Sequence, residues 1–404
     1  MVLSENIKSL FPKLLIISAF CLPLLKLIVP GLLGLVLIAS FFQDHFSQLK
    51  ENFKKQKTVL WFSFIYLLYV IGLAWTEDNS AGWFDLEVKL SMLLVPIVLS
   101  YSTISHQTLI KILKAFIEGC IIACIICIFY ACYRYYFTTD INYFFYGALS
   151  YFHHSSYFSM YLNFAILLLL ADLLGYQRIL TVSKWSKFGI ILFFGIFILF
   201  ISSKTAYATL LLTIIVGLFA WIRKTNNFKM FFVIAGLLLI IPPTLYHSSD
   251  LIKSRVLEFV NAFDEKQETE SLTGTTYRKI IWEESANIIS NNVVKGVGTG
   301  DVKQELKNRY EALNLNEAYE VGLNCHNQYL QTFMAIGITG ICALLLMLFI
   351  PIVRSIKNRN FIYLSFLVLI AINFFTESML ETQSGVVFYA FMNSLLFLQF
   401  KPYK

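Results

Sequence analysis

The chain has 404 residues, of which 57% are hydrophobic, 16% aromatic and only 14% charged. A soluble domain of this length needs far more charge to cover its surface, so the composition excludes a water-soluble globular protein and makes the bilayer the solvent. The formal net charge of +7 comes largely from Lys and Arg in short turns between apolar runs. That is an orientation signal rather than a nucleic-acid footprint, and no nucleic-acid partner is expected.

The N-terminus (Lys8 and Lys13, then an apolar run) resembles a signal peptide. It has no small-residue cleavage site and continues through Pro23 and Lys26 into a second run, so it reads as an uncleaved first helix. Apolar runs then recur at 11–29, 29–43, 58–75, 88–104, 109–136, 157–175, 188–203, 205–222, 230–246, 328–353, 361–376 and 384–400. Several are near the minimum of about 17 residues for a span, and short ones fit tilted or re-entrant segments. The expected fold is an all-α polytopic membrane protein with about twelve transmembrane helices. Residues 1–246 form helices one to nine, 247–327 a large extracytoplasmic loop, and 328–404 the last three helices.

With the N-terminus inside, one face receives Lys50, Lys54, Lys55, Lys57, Lys111 and Lys114, and then Arg178, Lys184 and Lys187. Arg223, Lys224 and Lys229, then Arg354, Lys357 and Arg359, and finally Lys401 and Lys404 continue the series. The opposite short loops carry Glu77, Asp78, Asp85 and Glu87, or Glu377 and Glu381, with few cations. This positive-inside pattern predicts both termini in the cytoplasm and the long loop outside. That loop is too poor in apolar residues for an independent core. In 277–289, however, Ile280, Ile281, Ala286, Ile288 and Ile289 alternate with Arg278, Lys279, Glu283 and Glu284, which predicts an amphipathic helix lying against the membrane domain.

Three ionisable residues stand out. Lys204, in Ser202-Ser203-Lys204-Thr205, lies between two apolar runs, where a lysine costs about 2.5–3.5 kcal/mol unless it finds a partner, a snorkelling path or a function. It reads equally well as a turn lysine at the interface. Arg278 begins the amphipathic segment and, taken alone, is a solvated charge. His326, in Asn324-Cys325-His326-Asn327-Gln328-Tyr329-Leu330, stands where the long loop re-enters the membrane. It suits either an interfacial hydrogen bond or a general base, since an unperturbed imidazole titrates near about 6.5.

Other features point less clearly to chemistry. Gly296-Val297-Gly298-Thr299-Gly300 has neither a preceding strand nor a following Lys-Ser/Thr, so it reads as a loop turn rather than a phosphate loop. His153-His154 lack a third ligand at metal spacing, and no metal or other cofactor is expected. Asp85 and Glu87 could serve a membrane glycosyltransferase as a base or simply balance Lys89. Cys120, Cys124, Cys127 and Cys132 read as small apolar residues of one helix, and Cys325 is no nucleophile on the strength of an adjacent His326 alone.

Taken in order, Thr276-Tyr277-Arg278-Lys279-Ile280-Ile281-Trp282, the turn Gly296–Asp301, His326-Asn327-Gln328-Tyr329-Leu330 and Gly337-Ile338-Thr339-Gly340 resemble the signature of the O-antigen ligase/polymerase family. Ser203-Lys204-Thr205 falls where that family often has Ser-Arg-Gly, and His153-His154-Ser155-Ser156-Tyr157 is similar to its His-x-x-Tyr helix entry. Thr376-Glu377-Ser378 through Gly385-Val386-Val387 resembles its C-terminal helices. The resemblance implies a GT-C-like fold in a bacterial inner membrane with a periplasmic active site. It implies an inverting, metal-independent transfer of a glycan from undecaprenyl diphosphate to an acceptor hydroxyl, of lipid A-core or another glycan. His326 would be the base, Arg278 and Lys204 would hold the diphosphate, and His153, His154, Asn327 and Tyr329 would contact donor or acceptor. Lysine in place of arginine keeps the charge but loses bidentate geometry.

Ligase, polymerase and protein O-oligosaccharyltransferase differ in acceptor, and the residues do not separate them; the C-terminal half leans toward ligase. A secondary transporter or lipid-glycan flippase should instead show two similar halves with interrupted helices and short outer loops, and neither is seen. A non-enzymatic scaffold leaves Lys204, Arg278 and His326 without a reason.

Overall fold

The computed structural model describes residues 2–42, 46–201, 204–225 and 274–398, and every regular element among them is a helix. Six are long and apolar enough to cross a membrane, spanning Lys57–Trp75, His106–Thr138, Ser155–Leu173, Lys184–Ile201, Ala206–Thr225 and Gln328–Lys357. Shorter apolar helices cover Ser9–Cys21, Val29–Ser40, Phe361–Thr376 and Gln383–Leu398. The chain is therefore a polytopic helical membrane protein. The apolar run 230–246 and most of the first part of the long loop lie outside the described residues.

In chain order, α1 (Val2–Cys21) and α2 (Val29–Ser40) pack on each other, and α1 also packs on α7 (His106–Thr138). The run 58–75 is not one regular helix: α4 (Phe64–Gly72) is flanked by 3-10 turns at Lys57–Ser63 and Leu73–Trp75. The run 88–104 yields only α6 (Ser91–Tyr101), following α5 (Asn79–Lys89). At about 1.5 Å per residue, α6 alone does not cross a hydrocarbon layer about 30 Å thick.

Helix α9 (Ser155–Leu173) is the centre of the bundle, with all but a few of its residues buried. It packs on α10 (Lys184–Ile201), α11 (Lys204–Thr225) and α16 (Phe361–Thr376). Without water to solvate polar groups inside the bundle, these must pair locally. Asn163 of α9 donates to Thr209 of α11 at 3.1 Å. Tyr363 of α16 donates to Asn393 of α17 (Gln383–Leu398) at 2.8 Å. At the lower end of α9, Asp172 accepts from Ile179 N, Leu180 N and Lys187 Nζ, the last at 2.7 Å. Lys187, read from sequence only as an orientation charge, is thus half of a buried ion pair.

The long loop's second half forms three helices: α12 (Gly274–Asn291), α13 (Val302–Ala312) and α14 (Asn316–Val321). As the sequence predicts, α12 is amphipathic and lies on the membrane domain. It buries Tyr277, Ile281, Ser285, Ile288 and Ile289 at helical spacing and packs on α15 (Gln328–Lys357). Ala286 faces away from the contact.

The glycine-rich turn fastens that loop down. Helix α15 is kinked at Ile336 and Gly337, where φ turns to +64° at the glycine, and the freed carbonyls of Met334 and Ala335 accept from Val297 N (2.8 Å) and Gly298 N (3.1 Å). Ile338 N donates back to Val293 O at 2.8 Å. On its other side the turn reaches the α4–α5 corner: Thr299 donates to Tyr69 O at 2.7 Å, and the Asp301 carboxylate accepts from Glu77 N and Asp78 N. A Cβ at Gly337 would stand 2.3 Å from Val294 O, and one at Gly296 (φ +73°) would stand 2.5 Å from Met334 O. Backbone meets backbone here, so neither contact can relax by moving a side chain.

Gly337→Ala and Gly296→Ala should each cost at least about 1–3 kcal/mol from the left-handed backbone conformation alone, with the clash added. The expected readout is a lower thermal midpoint for the purified protein, against little change for Gly189→Ala, where a Cβ meets nothing within 4 Å. Equal midpoints for all three would remove the latch from the fold's stability.

Candidate functional site

The site lies at one end of the bundle, where three segments far apart in sequence converge: the N-terminal turn of α12, the residues entering α15, and the segment between α16 and α17. Its hub is Glu377, only 4% exposed, directly after the last turn of α16. Its Oε1 is 2.9 Å from His326 Nδ1, and its Oε2 is 3.8 Å from Arg278 Nη2. Burial pushes the Glu377 carboxyl up, but the hydrogen bond and charge of His326, then the charges of Arg278 and His154, outweigh it and hold the group below its ordinary range.

His326 is held by its backbone. Its φ of +46° is rare for a residue with a side chain, and the surroundings fix it there. His326 N donates to Asn324 Oδ1 at 2.9 Å. Cys325 O accepts from Trp282 Nε1 of α12 at 2.8 Å, and Asn327 N donates to Ser378 Oγ at 3.2 Å. Asn327 in turn caps α15, its Oδ1 accepting from Tyr329 N and Leu330 N. With Nδ1–H donated to Glu377, the imidazole keeps the tautomer whose Nε2 can accept a proton.

The structure brings His326 and Arg278 to one carboxylate, Glu377, which the sequence reading placed among the outer-loop carboxylates and in a family-like stretch but gave no role. His154 belongs with them: it caps the start of α9 and is affected electrostatically by Glu377, His326 and Arg278, and burial, the largest influence, lowers its pKa against the pull of Glu377. His153 turns elsewhere. It is buried, with Nδ1 2.9 Å from Ser384 Oγ, and burial followed by the charge of Lys26 pulls it down to about 4. Tyr329 donates to Ala371 O at 2.9 Å and Asn327 is a helix cap, so both hydrogen-bond to the scaffold. Lys204 opens α11, and its side chain lies outside the described residues. Cys325 is buried, with its thiol pushed up to about 12 by that burial, which suits packing rather than nucleophilic attack. Among the described residues no three His, Cys, Asp or Glu side chains are grouped to hold a metal ion.

A second ionic cluster hangs on the same segment. Lys89, fully buried at the end of α5, bonds to Asp85 and, at 3.0 Å, to Glu381 Oε1, four residues after Glu377, with its ammonium 4.6 Å from the Tyr69 ring centre. One lysine faces two carboxylates. Burial and then the charge of Glu381 push Asp85 up to about 8, against the pull of the Lys89 ammonium. Burial lowers Lys89, but the two carboxylates override it and keep the ammonium charged. The segment is pinned between the clusters as well, since Leu380 N donates to Gln328 Oε1 at 2.6 Å and Tyr157 OH donates to Ser378 O at 3.4 Å.

Fold and site together define a polytopic helical membrane protein with an acid–base pair and a guanidinium at one end of its bundle, under a loop of short helices. Residues 188–345 match the family model described as O-Antigen ligase. This segment, which contains Lys204, Arg278 and His326, is similar to the O-antigen ligase/polymerase family, whose members are glycosyltransferase-like enzymes. Among curated proteins none matches the chain.

Because the Asp85 pKa is raised in the folded state from about 3.9 in an unfolded chain, the folded protein binds more protons over that interval. Its contribution to stability is full below about pH 4 and is lost as pH rises through about 8. Asp85→Asn should flatten this part of the melting profile between about pH 4 and 8, matching the wild-type midpoint near about pH 4 and exceeding it as pH rises. An unaltered pH dependence in the variant would show that the proton sits elsewhere.

Proposed function

We propose that the protein transfers a glycan from undecaprenyl diphosphate to an acceptor hydroxyl of lipid A-core, at a periplasmic site built on His326, Glu377 and Arg278. The 2.9 Å contact between His326 Nδ1 and Glu377 Oε1, with Arg278 beside it, is the observation that carries the reading. Glycosyl transfer from a diphosphate needs a base for the acceptor and fixed positive charge for the leaving group. Glu377 orients the imidazole. Nε2 of His326 then takes the hydroxyl proton while that oxygen forms its bond to the sugar C1 and the C1–O bond to phosphate breaks. In-line attack inverts the anomeric centre.

The electron pair leaves with the diphosphate, where Arg278 meets it. The guanidinium is 3.8 Å from Glu377, an ion-pair distance beyond a direct hydrogen bond, so its N–H donors remain directed to a ligand. Lys204 assists from the start of α11, where the helix N-terminus also favours an anion. His154, whose pKa burial lowers, contributes a hydrogen bond to the acceptor or donor sugar. The positive-inside pattern supports cytoplasmic termini and a periplasmic position for this end of the bundle.

His326→Ala and Glu377→Gln should each lower transfer about 10²- to 10⁴-fold, the first by removing the base and the second by releasing its tautomer. Arg278→Ala should abolish detectable transfer, and Arg278→Lys should restore only part of it. The check is the lipopolysaccharide profile of a deletion strain carrying each variant at normal expression. Bare core with polymer retained on the lipid carrier supports ligase activity, core capped by single units indicates a polymerase, and full ligation by both His326→Ala and Arg278→Ala removes the assignment.

A further inference from the structure

A cavity of about 540 Å³ lies at the end of the bundle opposite Glu377, between the α6–α7 corner, the segment after α9, the start of α16 and the end of α17. It is distinct from the site above. Asn360 on its rim and Glu377 stand at opposite ends of α16, whose 16 residues span about 24 Å. Its floor is apolar, formed by Leu109, Leu113, Ile362 and Leu396. Its rim is polar and carries Ser105, His106, Gln177 and Asn360. No carboxylate is among its lining residues.

The charge at the rim has one sign. Tyr176, which lines the cavity and stacks on Phe361 at 4.7 Å, carries the Lys224 ammonium 4.7 Å above its ring. Arg178 follows Gln177 directly in sequence, and Lys111 follows Ile110, another lining residue. Ser105 and Asn360 spend their oxygens capping α7 and α16, accepting from Thr108 N and Tyr363 N. The Ser105 hydroxyl also shares a hydrogen bond with Thr108 Oγ1 at 2.9 Å, and the Asn360 amide N–H groups are left to donate outward. An apolar trough ending in amide and ammonium donors at a membrane surface matches an anionic amphiphile: acyl carbons fit the floor and phosphate oxygens the rim.

We propose that this cavity binds an anionic phospholipid, with its phosphate at the His106, Gln177 and Asn360 rim under the field of Lys224. The site joins four separate segments of the chain, so an occupied cavity ties α7, α9, α16 and α17 together at the end of the bundle remote from the chemistry. The assignment stands independently of the proposed glycan transfer.

The test is the thermal midpoint of the purified full-length protein in neutral detergent, titrated with dioleoylphosphatidylglycerol, dioleoylphosphatidylcholine or inorganic phosphate. Phosphatidylglycerol should raise the midpoint saturably at concentrations where phosphatidylcholine and inorganic phosphate do not. Lys224→Glu, an exposed substitution, should raise the half-maximal phosphatidylglycerol concentration about tenfold or more. Ile110→Trp, which fills the trough, should abolish the response while the protein remains folded. Equal shifts by both lipids overturn anionic selection, and a matching shift by inorganic phosphate overturns the lipid. An unchanged response in folded Lys224→Glu and Ile110→Trp overturns the cavity as the site.

Discussion

A carboxylate buried at the edge of an apolar bundle must be paired, because an isolated charge there loses several kcal/mol of hydration that nothing returns. Glu377 is that carboxylate. Its partners arrive from two other parts of the chain, His326 at the entry to α15 and Arg278 on α12. Satisfying one buried charge therefore closes the helical loop over the bundle and brings an imidazole beside a guanidinium. The hydrogen bond that compensates Glu377 also orients the imidazole of His326.

That closure is made rigid by backbone rather than side-chain contacts. The kink at Ile336–Gly337 exposes carbonyls within α15, and the turn beginning at Gly296 supplies the N–H groups that meet them. A helix interior normally has no free hydrogen-bonding groups to offer, so the kink creates the docking edge and the glycines let the turn approach it. The contact fixes the position of the chain leading from α12 to α13. Trp282 and Ser378 then hold the residues on either side of His326 in their strained conformation.

The segment between α16 and α17 carries two electrostatic tasks only four residues apart. Glu377 serves the site, while Glu381 serves Lys89 and Asp85. In a low-dielectric setting the second cluster acts as an anchor, because moving Glu381 would strand a fully buried ammonium. The position of Glu377 is thereby coupled to α5 as well as to α15.

The sequence by itself determined the membrane class, most helix positions in the described residues and the amphipathic α12, and it singled out His326 and Arg278, which the structure brings to one carboxylate. These rest on local signals: apolar run length, helical periodicity, and motif residues that resemble a known family. It also held a sign of Glu377, since a carboxylate directly after an apolar run needs a partner, but nothing local says that the partner is His326, fifty-one positions away. The same limit hid the role of the glycine turn, which reads as an ordinary loop until the kinked helix it docks on is in place. His153 and His154 are adjacent and chemically alike, yet one faces Ser384 and the other the charged site, because the start of α9 turns their side chains apart. Only the tertiary structure decided which polar groups are buried together, because burial and pairing depend on contacts between segments, whereas helix formation in a membrane depends mainly on each segment's own composition.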